Sequence, residues 1–301
     1  MKNVAPQHVP MRSALYLPGI NQRAIEKARS LAADVVIFDL EDAVAPEMKA
    51  KARRNLEEAF QGGPVARGLN VIRINAPDAG ELASDLETVR KCRPHALLLP
   101  KVSNPYEVAV IRRHMAGSSP NATPALWCMI ESTLGLMRVA DVAAALDGGR
   151  PAVACLVIGT NDIARETGVS TEQGRHHMHP WLMAAVLAAK ANGVALLDGV
   201  WNDFKDTEGF EVEAVQGRMM GFDGKTLIHP TQIEPANRVF APGPEAVEEA
   251  RVVVAAFAEP ANAGKGVINL SGRMVELLHL QMARRVLDRH QAIQARMAGS
   301  A

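Results

Sequence analysis

The chain has 301 residues, of which 48% are hydrophobic, 22% charged and only 4% aromatic, and its formal net charge is zero. This composition is typical of a soluble globular protein, and the balanced charge gives no reason to expect binding to nucleic acid or to an acidic membrane. No apolar stretch reaches the roughly 18 residues that a membrane-spanning helix needs. The N-terminus lacks the apolar core of a signal peptide, so we expect a cytoplasmic protein.

The three cysteines, Cys92, Cys128 and Cys155, are far apart and lie in or beside apolar runs. No two of them form a C-x-x-C pair, which is the commonest spacing in cysteine metal sites. We therefore expect buried, reduced thiols rather than disulfides or metal ligands.

Short apolar runs, which favour buried strands, alternate along the chain with longer amphipathic stretches, which favour helices. Strands are predicted at residues 13–17, 35–38, 70–74, 95–99, 124–130, 152–158, 194–197 and 225–228. Helices are predicted at residues 21–32, 47–60, 79–91, 105–115, 134–146, 181–192 and 207–220. A long loop is expected between the sixth strand and the helix at 181–192.

Eight successive strands in alternation with helices predict an α/β fold, a closed eight-stranded parallel (β/α)8 TIM barrel over residues 1–240. An open, doubly wound sheet is the alternative, but no G-x-G-x-x-G follows the first strand. Residues 241–301 follow a Pro-Gly-Pro break and do not continue the alternation. We expect them to form a C-terminal helical arm, with a helix at 245–257 and a terminal helix that begins within 272–285. The arm would pack on its own barrel or on a neighbouring subunit.

Catalytic groups of such barrels sit at the C-terminal ends of the strands. Charged or titratable residues at the predicted ends are Glu41, Asp42, Arg73, Lys101, Glu131, Asp162, Asp198 and His229. Carboxylates at four of the eight strand ends would lie at the same opening of the barrel. They would repel one another there unless a cation lies between them. Oxygen ligands favour Mg²⁺, and the adjacent-strand residues Glu131 and Asp162 are the expected ligands. Helix capping is the alternative role for both.

The second strand ends in Asp39, Glu41 and Asp42, which we expect to surround the metal ligands and to orient bound water. Capping of the next helix is the alternative role for these acids. The planar guanidinium of Arg73 suits a carboxylate or a 2-oxo acid, although a salt bridge to Glu41 or Asp42 is also compatible with its position.

Several of these strand ends lie within longer motifs that resemble a known family. The motifs are R-S-A-L-Y-L-P-G, I-F-D-L-E-D-A-V-A-P-x-x-K-x-x-A-R, V-I-R-I-N, L-L-L-P-K, I-E-S, G-T-N-D, L-D-G-V-W-N-D-F-K-D and G-F-D-G-K-T-L-I-H-P-x-Q-I. Together they resemble the citrate lyase β-subunit-like family of the HpcH/HpaI aldolase superfamily, which also contains malyl-CoA lyases. The residues of these motifs are most similar to those of the (3S)-malyl-CoA thioesterase branch.

This resemblance implies specific roles for the charged residues at the strand ends. It implies that Glu131 and Asp162 bind Mg²⁺ and that Arg73, with Glu131, binds the acid part of the substrate. It further implies that Arg23 and Lys27 contact coenzyme A. The resemblance also implies a homotrimer or hexamer in which the arm closes over a neighbour's active site.

Glu276 stands where lyases of the family carry an aspartate that acts in proton transfer at the thioester α-carbon. The expected activity is a Mg²⁺-dependent lyase that cleaves or forms a C–C bond in a malyl-, citramalyl- or citryl-type CoA thioester. Glu276 would then transfer the proton. The first alternative is a thioesterase on the same substrates, in which Glu276 positions a water. The second is a subunit of a lyase complex whose substrate rides on an acyl-carrier protein.

Overall fold

The computed structural model describes residues 9–115, 123–172 and 174–298. The described residues divide into two compact units, one comprising Met11–Phe240 and the other comprising residues 9–10 and 241–298. The expectation about a signal peptide falls largely on residues 1–8, which lie outside the described ranges. Within those ranges no helix is both long and apolar enough to cross a membrane.

The first unit is a closed barrel of eight parallel strands, which confirms the predicted TIM barrel. Its ring closes because the first strand pairs with both the second and the last. The strands are β1 Ser13–Pro18, β2 Val35–Asp39, β3 Leu69–Arg73, β4 Ala96–Leu99, β5 Ala125–Ile130, β6 Cys155–Ile158, β7 Ala195–Asp198 and β8 Gly224–Leu227.

Successive side chains of each strand point to opposite faces, and the two faces form two separate apolar clusters. Ile37 and Val71 belong to the smaller cluster, which fills the barrel interior. Phe38 and Leu196 belong to the larger cluster, which lies between the strands and the surrounding helices. The position of a residue along its strand therefore decides which layer its side chain enters.

The helices of the first unit largely occupy the predicted stretches. They are α1 Gln22–Lys27, α2 Lys49–Ala59, α3 Leu82–Cys92, α4 Pro105–Met115, α5 Thr133–Met137, α6 Val139–Ala143, α7 Thr160–Thr167, α8 His179–Ala191, α9 Thr207–Met220 and α10 Ile233–Val239. The predicted helix at 134–146 is wrong as a single element, because the backbone of Arg138 leaves the helical region at φ −113°, ψ 14° and separates α5 from α6. Helix α7 occupies part of the predicted long loop.

The second unit contains α11 Pro244–Ala258, the hairpin strands β9 Val267–Leu270 and β10 Arg273–Glu276, and α12 Leu277–Ala298. The predicted start of the terminal helix is wrong, because residues 273–276 are a strand. Ser271 and Gly272 have φ values of 51° and 83°, and two positive φ angles in a two-residue loop are the mark of a hairpin turn. Glu276 therefore ends a strand instead of lying within a helix.

All three cysteines are buried and free, as expected from their apolar surroundings. Burial raises the pKa of the Cys92 thiol to about 12, so this group stays protonated at neutral pH.

Candidate active site

Strand alternation directs three polar side chains into the barrel interior at the C-terminal end. Asp39 and Arg73 lie two residues beyond the interior residues Ile37 and Val71, and the two are direct neighbours in the pairing of β2 with β3. Glu131 follows β5, two residues beyond interior Met129. We call the group formed by Tyr16, Asp39, Glu41, Arg73, Lys101 and Glu131 the mouth.

Arg73 is the buried cation of the mouth, with only 6% of its surface exposed. Its Nε and one terminal nitrogen donate to the two oxygens of Asp39 at 2.7 and 2.6 Å. The other terminal nitrogen lies 2.9 Å from Glu41 Oε2, and the guanidinium lies 5.0 Å from the centre of the Tyr16 ring. Burial alone would lower the pKa of Arg73, but Asp39 and Glu41 hold that pKa above its ordinary value.

The three acids at the end of β2, Asp39, Glu41 and Asp42, make different contacts in the structure. Asp39 accepts backbone N–H bonds from Glu41 at 2.9 Å and Ala43 at 3.1 Å, so its oxygens hold the turn as well as Arg73. Asp42 lies 3.6 Å from Arg73 and its side chain is 56% exposed. The salt bridge considered for Arg73 is therefore present with Glu41 and, at a longer distance, with Asp42, while the shortest contact of Arg73 is with Asp39. The role of the three acids in orienting water stays a prediction.

Lys49 binds the main chain of the turn after β2, a role that sequence reasoning missed. Its ammonium donates to the carbonyl oxygens of Leu40 and Glu41, both at 3.1 Å, and to the side-chain oxygen of Asn75. Asn75 follows β3 and in turn donates to buried Asp85. Both Lys49 and Asn75 stand in the motifs quoted above, which was the available signal, but their targets are main-chain atoms that no sequence pattern marks.

Glu131 has a carboxylate oxygen that no cation of the described residues contacts, whereas the two oxygens of Glu41 lie against Arg73 and Lys101. Glu131 is 2% exposed, and its Oε1 accepts the backbone N–H of Lys101 at 2.7 Å. Its Oε2 is buried and has no hydrogen-bond partner among the described residues. Burial, assisted by the nearby charges of Glu41 and Asp162, raises the pKa of Glu131 to about 8. A buried oxygen without a donor is costly, so this site favours an additional cation.

Asp162 lies near Glu131 in the first turn of α7, and it contributes to the raised pKa of Glu131. Its carboxylate pairs with Arg165 at 2.5 Å and remains partly exposed. In the described ranges no three His, Cys, Asp or Glu side chains are arranged to hold a metal. Two carboxylates nevertheless suffice for Mg²⁺, which usually keeps waters or substrate oxygens in its other positions. The residues present therefore fit a hard divalent cation.

Residues 12–230, which include all of the mouth, match the model of the family described as HpcH/HpaI aldolase/citrate lyase. The chain belongs to this family. It is 42% identical to a (3S)-malyl-CoA thioesterase of Cereibacter sphaeroides, over 97% of this chain and 99% of the relative. It is 31% identical to the mitochondrial citramalyl-CoA lyase of Mus musculus, over 93% of this chain and 86% of the relative.

A solved structure extends the comparison. CitE of Mycobacterium tuberculosis, crystallised with magnesium, acetoacetate and coenzyme A, matches with a TM-score of 0.75 at 29% identity. The match covers 95% of this chain and 99% of that protein. The predicted family is therefore confirmed, and the chain is an enzyme of the CoA-ester lyase and thioesterase family.

Asp198, although it ends a strand in this family fold, does not join the mouth, so its expected place among the mouth acids is wrong. It lies two residues beyond Leu196, which faces the helices, and its side chain contacts Arg175 at 2.5 Å and Lys225 at 3.2 Å. Lys225 also pairs with Glu213 of α9 at 2.7 Å. We call Arg175, Asp198, Glu213 and Lys225 the closed network.

The other predicted site residues lie at exposed positions. Arg23 and Lys27 are exposed on α1, where a large anionic ligand can reach them. Glu276 is exposed in the second unit, where its backbone N–H donates to His279 Nδ1 at 3.0 Å. The structure thus brings together Asp39, Arg73 and Glu131, while the roles of Arg23, Lys27 and Glu276 stay predictions.

Proposed function

We propose that the protein is a Mg²⁺-dependent lyase that cleaves or forms a C–C bond in a malyl-, citramalyl- or citryl-type CoA thioester. The observation that carries this proposal is the buried, unpartnered Oε2 of Glu131, in a mouth that also holds Arg73. The magnesium, acetoacetate and coenzyme A bound by the related CitE support the same choice of ligands.

Glu131 and Asp162 would hold the metal. When bound, Mg²⁺ supplies a Lewis acid for the hydroxyl and carboxylate oxygens of the acyl group. Arg73 is fixed by Asp39 and Glu41, so its charge is oriented before the substrate arrives. A guanidinium has five N–H donors, and those of Arg73 that its acidic neighbours leave available would bind the acid end of the substrate.

C–C cleavage requires loss of the substrate hydroxyl proton, and it separates a 2-oxo acid from the enolate of the remaining thioester. We assign protonation of the enolate α-carbon to Glu276, and in the reverse direction the same carboxylate would remove a proton from the acyl-CoA. Arg23 and Lys27 would contact the phosphates of coenzyme A, because both are exposed cations on one helix. A homotrimer or hexamer, with the second unit acting on a neighbour, completes the proposal.

Thioester hydrolysis is the second candidate function. It is supported by the 42% identity to a (3S)-malyl-CoA thioesterase along nearly the whole chain. It is also supported by Glu276, which is one methylene longer than the aspartate of family lyases. In this reaction the mouth would only hold the acid end of the substrate, while Glu276 positions a water that attacks the thioester carbonyl.

One assay separates the two functions. The full-length protein is incubated with (3S)-malyl-CoA and Mg²⁺, and the products are measured; citramalyl- and citryl-CoA complete the panel. Glyoxylate and acetyl-CoA identify a lyase, whereas malate and free CoA without glyoxylate identify a thioesterase. Turnover of any soluble CoA ester also argues against an obligatory acyl-carrier protein.

Glu131→Ala tests the site itself, and we expect it to abolish both Mg²⁺ binding and turnover. Glu234→Ala is the matched control, because Glu234 is an exposed glutamate whose ion pair with Arg238 is exposed as well. Unchanged Mg²⁺ binding and turnover in Glu131→Ala would show that the metal ligands are assigned wrongly.

A further inference from the structure

We infer that Lys101 is a positioning residue that acts through two separate parts: its main-chain N–H orients Glu131, and its ammonium holds Glu41. Lys101 follows β4 in the L-L-L-P-K motif. The inference rests on the proposed function, because it explains how the proposed Mg²⁺ ligand obtains its orientation.

The backbone of Lys101 has a left-handed conformation, with φ at 55°. Within the described ranges only two other residues besides glycine share a positive φ, Arg93 and Ser271. Arg93 caps the end of α3 and Ser271 lies in a hairpin turn, which are ordinary places for this conformation. Lys101 has neither setting. A residue with a Cβ pays for such a backbone in stability, and such conformations concentrate at functional sites.

The consequence of this backbone appears at Glu131. The Lys101 N–H donates to Glu131 Oε1 at 2.7 Å, while Oε2 stays buried without a partner among the described residues. Gly159 packs closely against the Glu131 carboxylate, because a Cβ at this position would lie only 2.9 Å from Oε2. One oxygen is therefore fixed and the other is left available, which is the arrangement a single-oxygen metal ligand needs.

The ammonium of Lys101 acts on a different carboxylate. Its Nζ lies 3.1 Å from Glu41 Oε1, and Arg73 lies 2.9 Å from Glu41 Oε2. Glu41 is thus held between a buried guanidinium and a lysine side chain that is 48% exposed. Glu41 and Glu131 are both buried and both contact Lys101, so two like charges share this site and repel each other. The Lys101 ammonium offsets this repulsion at Glu41, while the Lys101 main-chain N–H orients the carboxylate of Glu131.

Substitutions at Lys101 separate the two parts. Lys101→Gly removes the ammonium and favours the left-handed backbone, whereas Lys101→Val removes the ammonium and disfavours that backbone. Lys101→Arg keeps the charge. Isothermal titration of the full-length protein with Mg²⁺ alone measures the main-chain effect.

We expect Lys101→Gly to bind Mg²⁺ within about threefold of wild type and Lys101→Val to bind at least about tenfold more weakly. Circular dichroism checks that each variant is folded. If Lys101→Val does not fold, Lys101→Ala replaces it, and we expect its Mg²⁺ affinity to fall below that of Lys101→Gly. Equal Mg²⁺ affinity of the glycine variant and its valine or alanine counterpart would overturn the main-chain role.

Turnover of the CoA ester measures the ammonium effect. We expect kcat/KM to fall about tenfold in Lys101→Gly and to return to within about threefold of wild type in Lys101→Arg. No recovery in Lys101→Arg would overturn the ammonium role. Wild type that binds Mg²⁺ but converts no thioester of the panel would refute the proposed reaction alone. In that case the Mg²⁺ affinities of the variants still decide the main-chain role of Lys101.

Discussion

The mouth and the closed network both place buried charges at strand ends, yet their carboxylates are satisfied to very different degrees. In the closed network, Asp198 contacts Arg175 and Lys225 and accepts the N–H of Gly199 at 2.8 Å. Burial opposes ionisation of Asp198, but these partners lower its pKa below the ordinary value. In the mouth, Glu131 keeps one oxygen without a donor among the described residues, and burial raises its pKa to about 8.

This difference distinguishes a structural charge cluster from a functional one. Groups that satisfy one another rigidify the fold, whereas a buried group without a partner and with a shifted pKa is a candidate for completion by a ligand. The closed network also fixes the loop after β7, since Lys225 donates to the carbonyl of Gly199 at 2.6 Å. We therefore interpret the closed network as a support and the mouth as the reaction site.

The largest expected effect is on stability and concerns the closed network. Asp198→Asn would leave the two buried cations Arg175 and Lys225 with Glu213 as the one remaining anion of the closed network. Removing one partner of a buried ion pair typically costs about 3–5 kcal/mol, so we expect the free energy of unfolding to fall by that amount. Urea denaturation at neutral pH measures it. A loss below about 1 kcal/mol would mean that the network is not a structural support.

The next effect is on activity and concerns the mouth. In Gly159→Ala the new Cβ would lie 2.4 Å from Glu131 Cβ, so the glutamate must move. Displacement of a catalytic group by about 1 Å can cost on the order of 10²-fold, and we expect a loss of this size in kcat/KM together with weaker Mg²⁺ binding. Gly62→Ala is the control, because a Cβ there meets nothing within 4 Å. Equal activity of the two variants would contradict the tight packing around Glu131.

The pH dependence of stability gives an effect that is smaller for each pH unit. Between the ordinary pKa of 4.5 and about 8, folded Glu131 retains a proton that the unfolded chain has lost. Stability of the metal-free protein should therefore fall as pH rises through this window, by up to about 1.4 kcal/mol per pH unit from this group. Above about pH 8 the fall from this group ends.

Chemical denaturation in EDTA at several pH values, with wild type and Glu131→Gln compared, isolates this contribution. The glutamine cannot ionise, so its curve should lack the downward slope, and added Mg²⁺ should flatten the slope of wild type. Parallel curves for the two proteins would show that Glu131 does not retain a proton in the folded state.

The smallest effect on the free energy of unfolding is expected at a surface ion pair, which serves as a reference for the buried pairs. Arg238 lies 2.6 Å from Glu211, a distance as short as those in the mouth, but the two side chains are 54% and 34% exposed. Glu211→Gln should change the free energy of unfolding by less than about 1 kcal/mol. A loss as large as that of Asp198→Asn would show that burial is not what separates the two kinds of pair.

Much of the fold followed from hydrophobic periodicity, because burial on both faces of a strand leaves a local mark in the sequence. All eight barrel strands were predicted, and the acids and cations at their ends were identified. The hairpin at 267–276 was missed, since its strands are short and largely exposed. Helix α7 was missed because Gly159 and the polar residues after it read as a loop.

The direction of each strand-end side chain is also encoded locally, in the alternation along its strand. Asp39 continues the interior positions of its strand and Asp198 the helix-facing positions of its own. The expectation for Asp198 was wrong because a place at a strand end does not by itself decide which layer the side chain enters. Counting positions along each strand separates the mouth acids from Asp198 in the sequence itself.

The sequence determined the number of strands and their order along the chain and pointed to the acids that we propose as metal ligands, because local burial patterns and residue chemistry encode them. The partners of each charge were decided only by the tertiary structure. Arg175 reaches Asp198 from a loop 23 positions away, and Lys49 binds main-chain carbonyls that have no sequence signature. The unpartnered oxygen of Glu131 likewise results from which donors the folded barrel brings near it, and that depends on every strand at once.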